Sequence, residues 1–487
     1  MKKRILTLVA ALAAAALLAA CGDKPPAVTT TDTSAEDTSV TDAETLGIPE
    51  TADYGGEAFN ILSAGNVAYA DFTADENAST PLDSAQYRRK ALVEQNYGVK
   101  IAETVEKAYS SGGGPGYKRL STDANAGDCN FDLALVAGYD VTVLAYSDYL
   151  YDLASIPGID LSKSWWDKRA NDSLAVRGVM FFTTGEITVS DNNVAFVILF
   201  NKELRKAYDL NDPYSLVYDG EWTLDTFGAL CKTVTEDLDQ NGVMDANDRF
   251  GVLVWDDSVV GIVNAAGQRC CTIAEDGTIG LTLYNETTLA ALDKYFSIIY
   301  DTQYALTYQR EKVDPLEMWQ ADKGLFWMNT MDRIPQLRGM ESDFGILPYP
   351  KLNAEQQNYC TTVAPYNSQF VCVPLIQKDI ERTGIITEAL AYYGEKIVTP
   401  AYYDVNLVGQ STRDEESADM LEIIFDNLVF DIGYYYQVGP YNKQLIRMVQ
   451  ERDTNFTSMY DSYKISAERL LTVINTYYAK EIGRAHV

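Results

Sequence analysis

The most specific spacing in this chain is a run of oxygen-bearing side chains. Asp237, Asp239, Asn241, Asp245 and Asp248 fall at positions 1, 3, 5, 9 and 12 of a twelve-residue loop, with Gly242 at 6 and Val243 at 7. Calcium is a hard cation, and this pattern wraps carboxylate, amide and backbone carbonyl oxygens (the last from Val243) around one point. Asp248 stands where the pattern has Glu, and its shorter side chain reaches an ion less readily with both oxygens. A weak structural calcium site is therefore expected, with an ion-free acidic turn as the competing reading. The loop joins a helix to a strand, so an ion there would staple that junction.

Catalytic spacings are missing. The sequence holds no GxSxG, no GxxxxGK[ST], no HExxH and no C-x-x-C. Gly112–Gly116 lacks the Lys-Ser/Thr pair that follows a phosphate-binding loop and reads as a flexible turn. There is one histidine, His486. It lies in Glu481–Val487, which resembles the translation of a common sequencing adapter and is set aside as an artefact. Imidazole acid–base chemistry and most zinc sites then lose their usual residue. A glycosidase needs only two carboxylates, and 70 Asp and Glu leave that open without selecting a pair. The expectation is not an enzyme.

The 487 residues are 47% hydrophobic, enough for two or three domain-sized cores. A formal charge of −31 repels phosphate backbones, so nucleic acid is an unfavourable partner. Lys2-Lys3-Arg4, the apolar run Ile5–Leu18 and the small residues before Cys21 have the three parts of a secretory signal. Leu18-Ala19-Ala20-Cys21-Gly22 resembles a bacterial lipobox, which implies removal of residues 1–20 and lipidation of Cys21. The chain would then sit on the extracytoplasmic face of the cell membrane, held by its lipid. Residues 21–56 are Thr-, Asp-, Glu- and Ser-rich without apolar periodicity and read as a disordered tether. The six remaining cysteines define no disulfide framework. Cys360 and Cys372 flank a hairpin-like stretch and are the favoured pair, with isolated thiols equally open.

Strand and helix patterns alternate from residue 57. Strands are expected at 57–63, 99–105, 131–137, 179–182, 194–200, 250–255, 324–328, 344–347 and 370–373. Helices are expected at 87–97, 223–235, 285–300, 385–397 and 462–478. Continuous apolar runs such as FDLALVA suit strands buried on both faces, so a mostly parallel α/β arrangement with covering helices is expected.

The ordered set Trp165-Trp166-Asp167, FFTTGEITVS, VILFNKEL, Gly220-Glu221-Trp222-Thr223, GLFWMN, FGILPYP and Arg413–Ser417 resembles the extracellular solute-binding proteins of bacterial ABC importers, in the carbohydrate-binding, maltose-binding-protein-like group (family 1). The resemblance spans residues 57–480. It implies an α/β, two-lobe periplasmic-binding-protein-like fold of type II, with a ligand cleft between lobes joined by a hinge. Lobe 1 would be 57–193 plus 347–400, and lobe 2 would be 198–343 plus 401–480. It also implies a monomer that binds a sugar or oligosaccharide, closes around it and docks on the permease subunits, with no cofactor for activity. A surface glycan-processing enzyme, or a glycan-binding adhesin without a transport role, is the alternative.

Sugars present an apolar C–H face and a rim of hydroxyls, so their sites combine aromatic rings with hydrogen-bonding side chains. In open α/β sheets such groups gather at the carboxyl ends of strands. The candidates on that ground are Ser63, Asn66, Tyr139, Asp191, Asn193, Trp255, Asp256, Asn329, Arg333 and Tyr366. Trp327 joins them because its position after GLF resembles a stacking aromatic of the maltose-type proteins. Trp165 and Trp166 are expected to pack within a lobe.

Overall fold

The computed structural model describes residues 45–485 apart from 76, 78, 79, 302, 338 and 404–414. The signal, Cys21 and Arg413-Asp414 lie outside the described residues. Among those described, nine strands build the two larger sheets. They are β1 Glu57–Gly65, β2 Val99–Lys107, β3 Leu133–Ala137, β4 Phe196–Asn201, β5 Phe250–Val254, β6 Ala305–Thr307, β7 Gly324–Thr330, β8 Phe344–Leu347 and β9 Gln369–Cys372.

The first sheet has the order β9-β3-β1-β2 and the second β8-β4-β7-β5-β6. Every residue of β3, β4 and β7 is buried, as expected for apolar strands covered on both faces. The sheets are mixed rather than mostly parallel. β1 runs parallel to β2 and β3, but β9 returns antiparallel to β3. In the second sheet β5 is parallel to β6 and β7, while β4 is antiparallel to both β7 and β8. The antiparallel pairs arise where the chain leaves one sheet for the other and comes back.

The helix Pro81–Tyr97 starts earlier than its apolar spacing suggests because Thr80 caps it, accepting from the Asp83 N–H at 3.1 Å, and Pro81 fits its first turn. Gly98, at φ 59°, ends it. Residues 179–182 form no strand. This stretch is held by isolated pairs, Val176 with Val179 and Thr183 with Val371, and by Met180, which donates to Asp152 Oδ1 at 2.9 Å and accepts from the Leu153 N–H at 2.7 Å. The expected tether also ends sooner. Ala52, Tyr54 and Gly56 donate backbone N–H groups to Asn96, Tyr97 and Gly98, so this segment lies along the end of the first helix.

Two segments near the expected lobe boundaries make contacts across them. Residues 348–358 stay with the second sheet: Trp222 Nε1 donates to the Pro348 carbonyl at 2.9 Å, and Gln356 Nε2 to that of Ala265. At the other end, the long helix Phe456–Ala485 reaches both halves. Asn475 pairs with the backbone of Ile279, whereas Tyr477 and Tyr478 pack against Phe181. The six cysteines of the described residues are free thiols, Cys360 and Cys372 included. Burial of the Cys372 thiol in β9 pushes its pKa up and keeps it unreactive.

Two sequence features resolve into packing. The indole N–H groups of Trp165 and Trp166 both donate to the carboxylate of Glu388, each at 2.9 Å. Asp140 fills the glycine turn, accepting from the N–H groups of Gly112 and Gly114 at 3.1 and 2.9 Å.

Candidate functional site

The carboxyl ends of β5, β6 and β7 point the same way, because these strands are parallel neighbours. Trp255 follows β5, Tyr308 follows β6, and Asn329 and Thr330 close β7. Together they border a cavity of ≈ 480 Å³. That size suits a small-molecule ligand. The remaining wall comes from 309–316, from Arg333 and Gln336, and from Tyr366 and Asn367 on the segment returning to the first sheet. A wider, open hollow of ≈ 910 Å³ beside Phe296 and Tyr300 offers no indole and no amide-rich wall.

Five of the expected residues line the cavity: Trp255, Trp327, Asn329, Arg333 and Tyr366. Asn66 reaches its edge, donating to Asn367 Oδ1 at 2.8 Å. Asp256 sits behind it. Its backbone N–H donates to Gln309 Oε1 at 2.8 Å, and its carboxylate accepts from Gln450. Burial raises the pKa of Asp256 and of its neighbour Asp257. The other four residues lie elsewhere. Ser63 is fully buried and donates to Glu103, whose other oxygen accepts from Phe72 and Thr73. Tyr139 is buried and its hydroxyl accepts from Asn442. Asp191 and Asn193 belong to the short turn Ser190–Asn193 that crosses between the sheets.

Trp327 is not a stacking platform here. It is 1% exposed and its ring packs against Trp319, 5.8 Å away between centroids. Its edge forms part of the floor. The half-buried Tyr366, tilted against Trp255 at 6.4 Å, is the accessible ring. Tyr308, Gln309 and Lys312 join the site without a sequence signal. They follow a strand of three residues, too short to show a period of two. Burial, more than neighbouring charge, holds the Tyr308 and Tyr366 hydroxyls protonated.

Asp191 serves the crossover. Thr184 donates to it at 3.1 Å, and the Asn192 N–H at 2.9 Å. Burial first, then Asp167 and Glu186, pushes its pKa up to about 8, and burial takes Glu186 to about 7. These folded-state values lie above the ordinary carboxylate value of about 4. The native state therefore keeps protons that the unfolded chain releases, and stability from this cluster is lost as pH rises from about 4 to 8. Asp191→Asn removes one such group. Its melting temperature is expected to gain on the wild type by at least ~2 °C between pH 5 and pH 8.5; a pH-independent difference would contradict this.

At the acidic loop, carboxylate oxygens of Asp237, Asp239 and Asp248 come within 4.8 Å of one another. Gln240 at φ 55° and Gly242 at φ 81° curve the backbone around them. Asp248 is buried and accepts from the N–H groups of Leu238 and Asp245, both at 2.9 Å. Asn241 Oδ1 accepts from the Val243 N–H at 2.7 Å, and Asp245 Oδ1 from that of Asn247 at 2.8 Å. The donor set is all oxygen, which fits a hard cation.

No protein-family model matches the chain, and no curated protein does. Solved structures do. An ABC substrate-binding protein from Listeria monocytogenes in complex with cycloalternan aligns at TM-score 0.55 and 13% identity, over 86% of this chain and 99% of that one. The cyclic α-maltosyl-1,6-maltose binding protein from Arthrobacter globiformis aligns at 0.56 and 12%, over 86% and 99%. The maltose/maltodextrin-binding domain MalE from Bdellovibrio bacteriovorus, bound to maltotriose, aligns at 0.54 and 13%, over 85% and 100%. The chain has the two-lobe fold of the solute-binding proteins. The expected fold class holds, and these neighbours are binding proteins.

Proposed function

We propose that this chain is a solute-binding receptor for a sugar or oligosaccharide, that it delivers its guest to an ABC permease, and that lipid on Cys21 tethers it outside the cell membrane. The observation that carries the reading is the cavity at the ends of β5, β6 and β7, where indole and phenol rings stand beside the amides of Gln309, Asn329 and Asn367. Rings match the C–H face of a pyranose and amides match its hydroxyls. The fold's two halves close on such a guest because only the closed state contacts it from both sides. Hydrolysis is less well supported. Among the described residues Asp314 is the one carboxylate in the lining, and its Oδ1 already accepts from the Leu316 N–H at 2.9 Å. Two facing carboxylates are what glycoside cleavage needs.

A thermal-shift panel of mono- and oligosaccharides, followed by calorimetry and chromatography of the recovered guest, tests the reading. One saccharide is expected to bind at unit stoichiometry and to be recovered intact. A guest recovered cleaved, or a panel without a hit, would overturn it.

We also propose that the acidic loop holds a structural calcium ion through Asp237, Asp239 and Asp248, with Asn241, Asp245 and the Val243 carbonyl completing the shell. Calcium would screen the clustered charge and raise stability by mass action. Millimolar calcium is expected to raise the melting temperature by ~2 °C or more, and Asp237→Ala combined with Asp239→Ala to abolish the rise. A calcium-indifferent melt leaves only the acidic turn.

A further inference from the structure

The hydrogen-bonding capacity of the cavity is lopsided. Three of its amide oxygens already accept from the protein itself. Asn329 Oδ1 accepts from the Thr330 N–H at 2.9 Å, Gln309 Oε1 from the Asp256 N–H at 2.8 Å, and Asn367 Oδ1 from Asn66 at 2.8 Å. Asp314, the lining carboxylate, caps the helix Pro315–Gln320.

Donors remain. The Trp327 indole N–H lies beside the Tyr308 hydroxyl and makes no well-formed hydrogen bond among the described residues, despite the ring's 1% exposure. A buried donor left unpaired is costly, so a guest that supplies an acceptor recovers that cost. Tyr308 accepts from Asn329 Nδ2 at 3.2 Å, which leaves its own O–H to donate. Lys312 and Arg333 add cationic donors at the rim. Asp332 lies 3.7 Å from Arg333 Nε, a loose ion pair beyond hydrogen-bond distance.

The charge is inverted locally as well. Among the described residues, two cations and one carboxylate line this cavity, in a chain with 39 Lys and Arg against 70 Asp and Glu. The Asp256–Asp257 pair behind Trp255 is shifted toward its protonated form by burial, which weakens the nearest negative field.

We infer that the guest is an acidic saccharide, one that brings a carboxylate or sulfate to the donors of Trp327, Tyr308, Lys312 and Arg333. The inference rests on the saccharide-receptor reading and narrows it. Charge-assisted hydrogen bonds at such a group are about twice as strong as neutral ones, so they set the preference among sugars.

Calorimetry with the purified chain tests this, using a galacturonate trimer, a sulfated disaccharide and neutral maltotriose, at low and high salt. At least one acidic saccharide is expected to bind about tenfold or more tighter than maltotriose, with the gap narrowing in high salt. Whether the galacturonate or the sulfated sugar leads identifies the acid group. Lys312→Met combined with Arg333→Gln is expected to erase the preference with the melting temperature unchanged, since both side chains are exposed. Equal or tighter binding of maltotriose would overturn the acidic guest while leaving the receptor reading intact. So would an acidic preference that survives the double substitution. Failure of all three sugars to bind would overturn the acidic guest and count against the receptor reading too.

Discussion

Trp327→Ala is expected to destabilise the fold by about 3–5 kcal/mol, the range for truncating a large buried aromatic. Trp327 sits in the centre of β7, a strand whose seven residues are all buried, and its ring packs on that of Trp319. β7 pairs with both β4 and β5, so the void opens inside the second sheet's core. Chemical denaturation reads the loss. Binding to this variant confounds affinity with folding, so two milder changes separate them. Trp327→Phe keeps most of the packing and removes the indole N–H. Tyr366→Ala removes the accessible ring. Each is expected to weaken the saccharide about tenfold, with Tyr366→Ala leaving the melt in place. An unaltered denaturation midpoint for Trp327→Ala would mean that the ring is not a core element.

Glu388→Ala is the second large effect. The Glu388 carboxylate is fully buried, accepts both tryptophan N–H groups at 2.9 Å and the Asp160 N–H at 3.3 Å, and has its pKa pushed up to about 7 by burial. Removing it strands two buried indole donors at about 1–3 kcal/mol each and a part-buried backbone N–H, so a loss of ~3 kcal/mol or more is expected in a denaturant titration. Glu388→Gln, which retains one acceptor oxygen, is expected to lose less. Equal losses for the two substitutions would mean that side-chain volume, not the shared acceptor, holds the two indoles.

The strands were legible where burial on both faces left continuous apolar runs. β3, β4, β5 and β7 needed no partner to be recognised. What sequence could not carry was the destination of each polar group. Ser63 at a strand end looks the same whether it meets a guest or a buried carboxylate such as Glu103. Trp165 and Trp166 read as packing residues, but the carboxylate that takes both of their N–H groups, Glu388, lies more than two hundred residues later and carries no mark of that role. Trp327 was placed in the site by position, but its orientation depends on Trp319, which lies on a helix with no binding signal of its own. Tyr308, Gln309 and Lys312 follow a three-residue strand whose apolar content is too short to mark an element. The crossings between sheets were harder still, because residues 179–195 pair one at a time.

Hydrogen exchange with and without the bound saccharide tests the location of the site most directly. Slowed exchange is predicted at 308–316, 327–333 and 366–367, the segments that wall the cavity. Protection confined to 63–66 and 139–142, or no change at saturation, would contradict a guest held at the carboxyl ends of β5, β6 and β7.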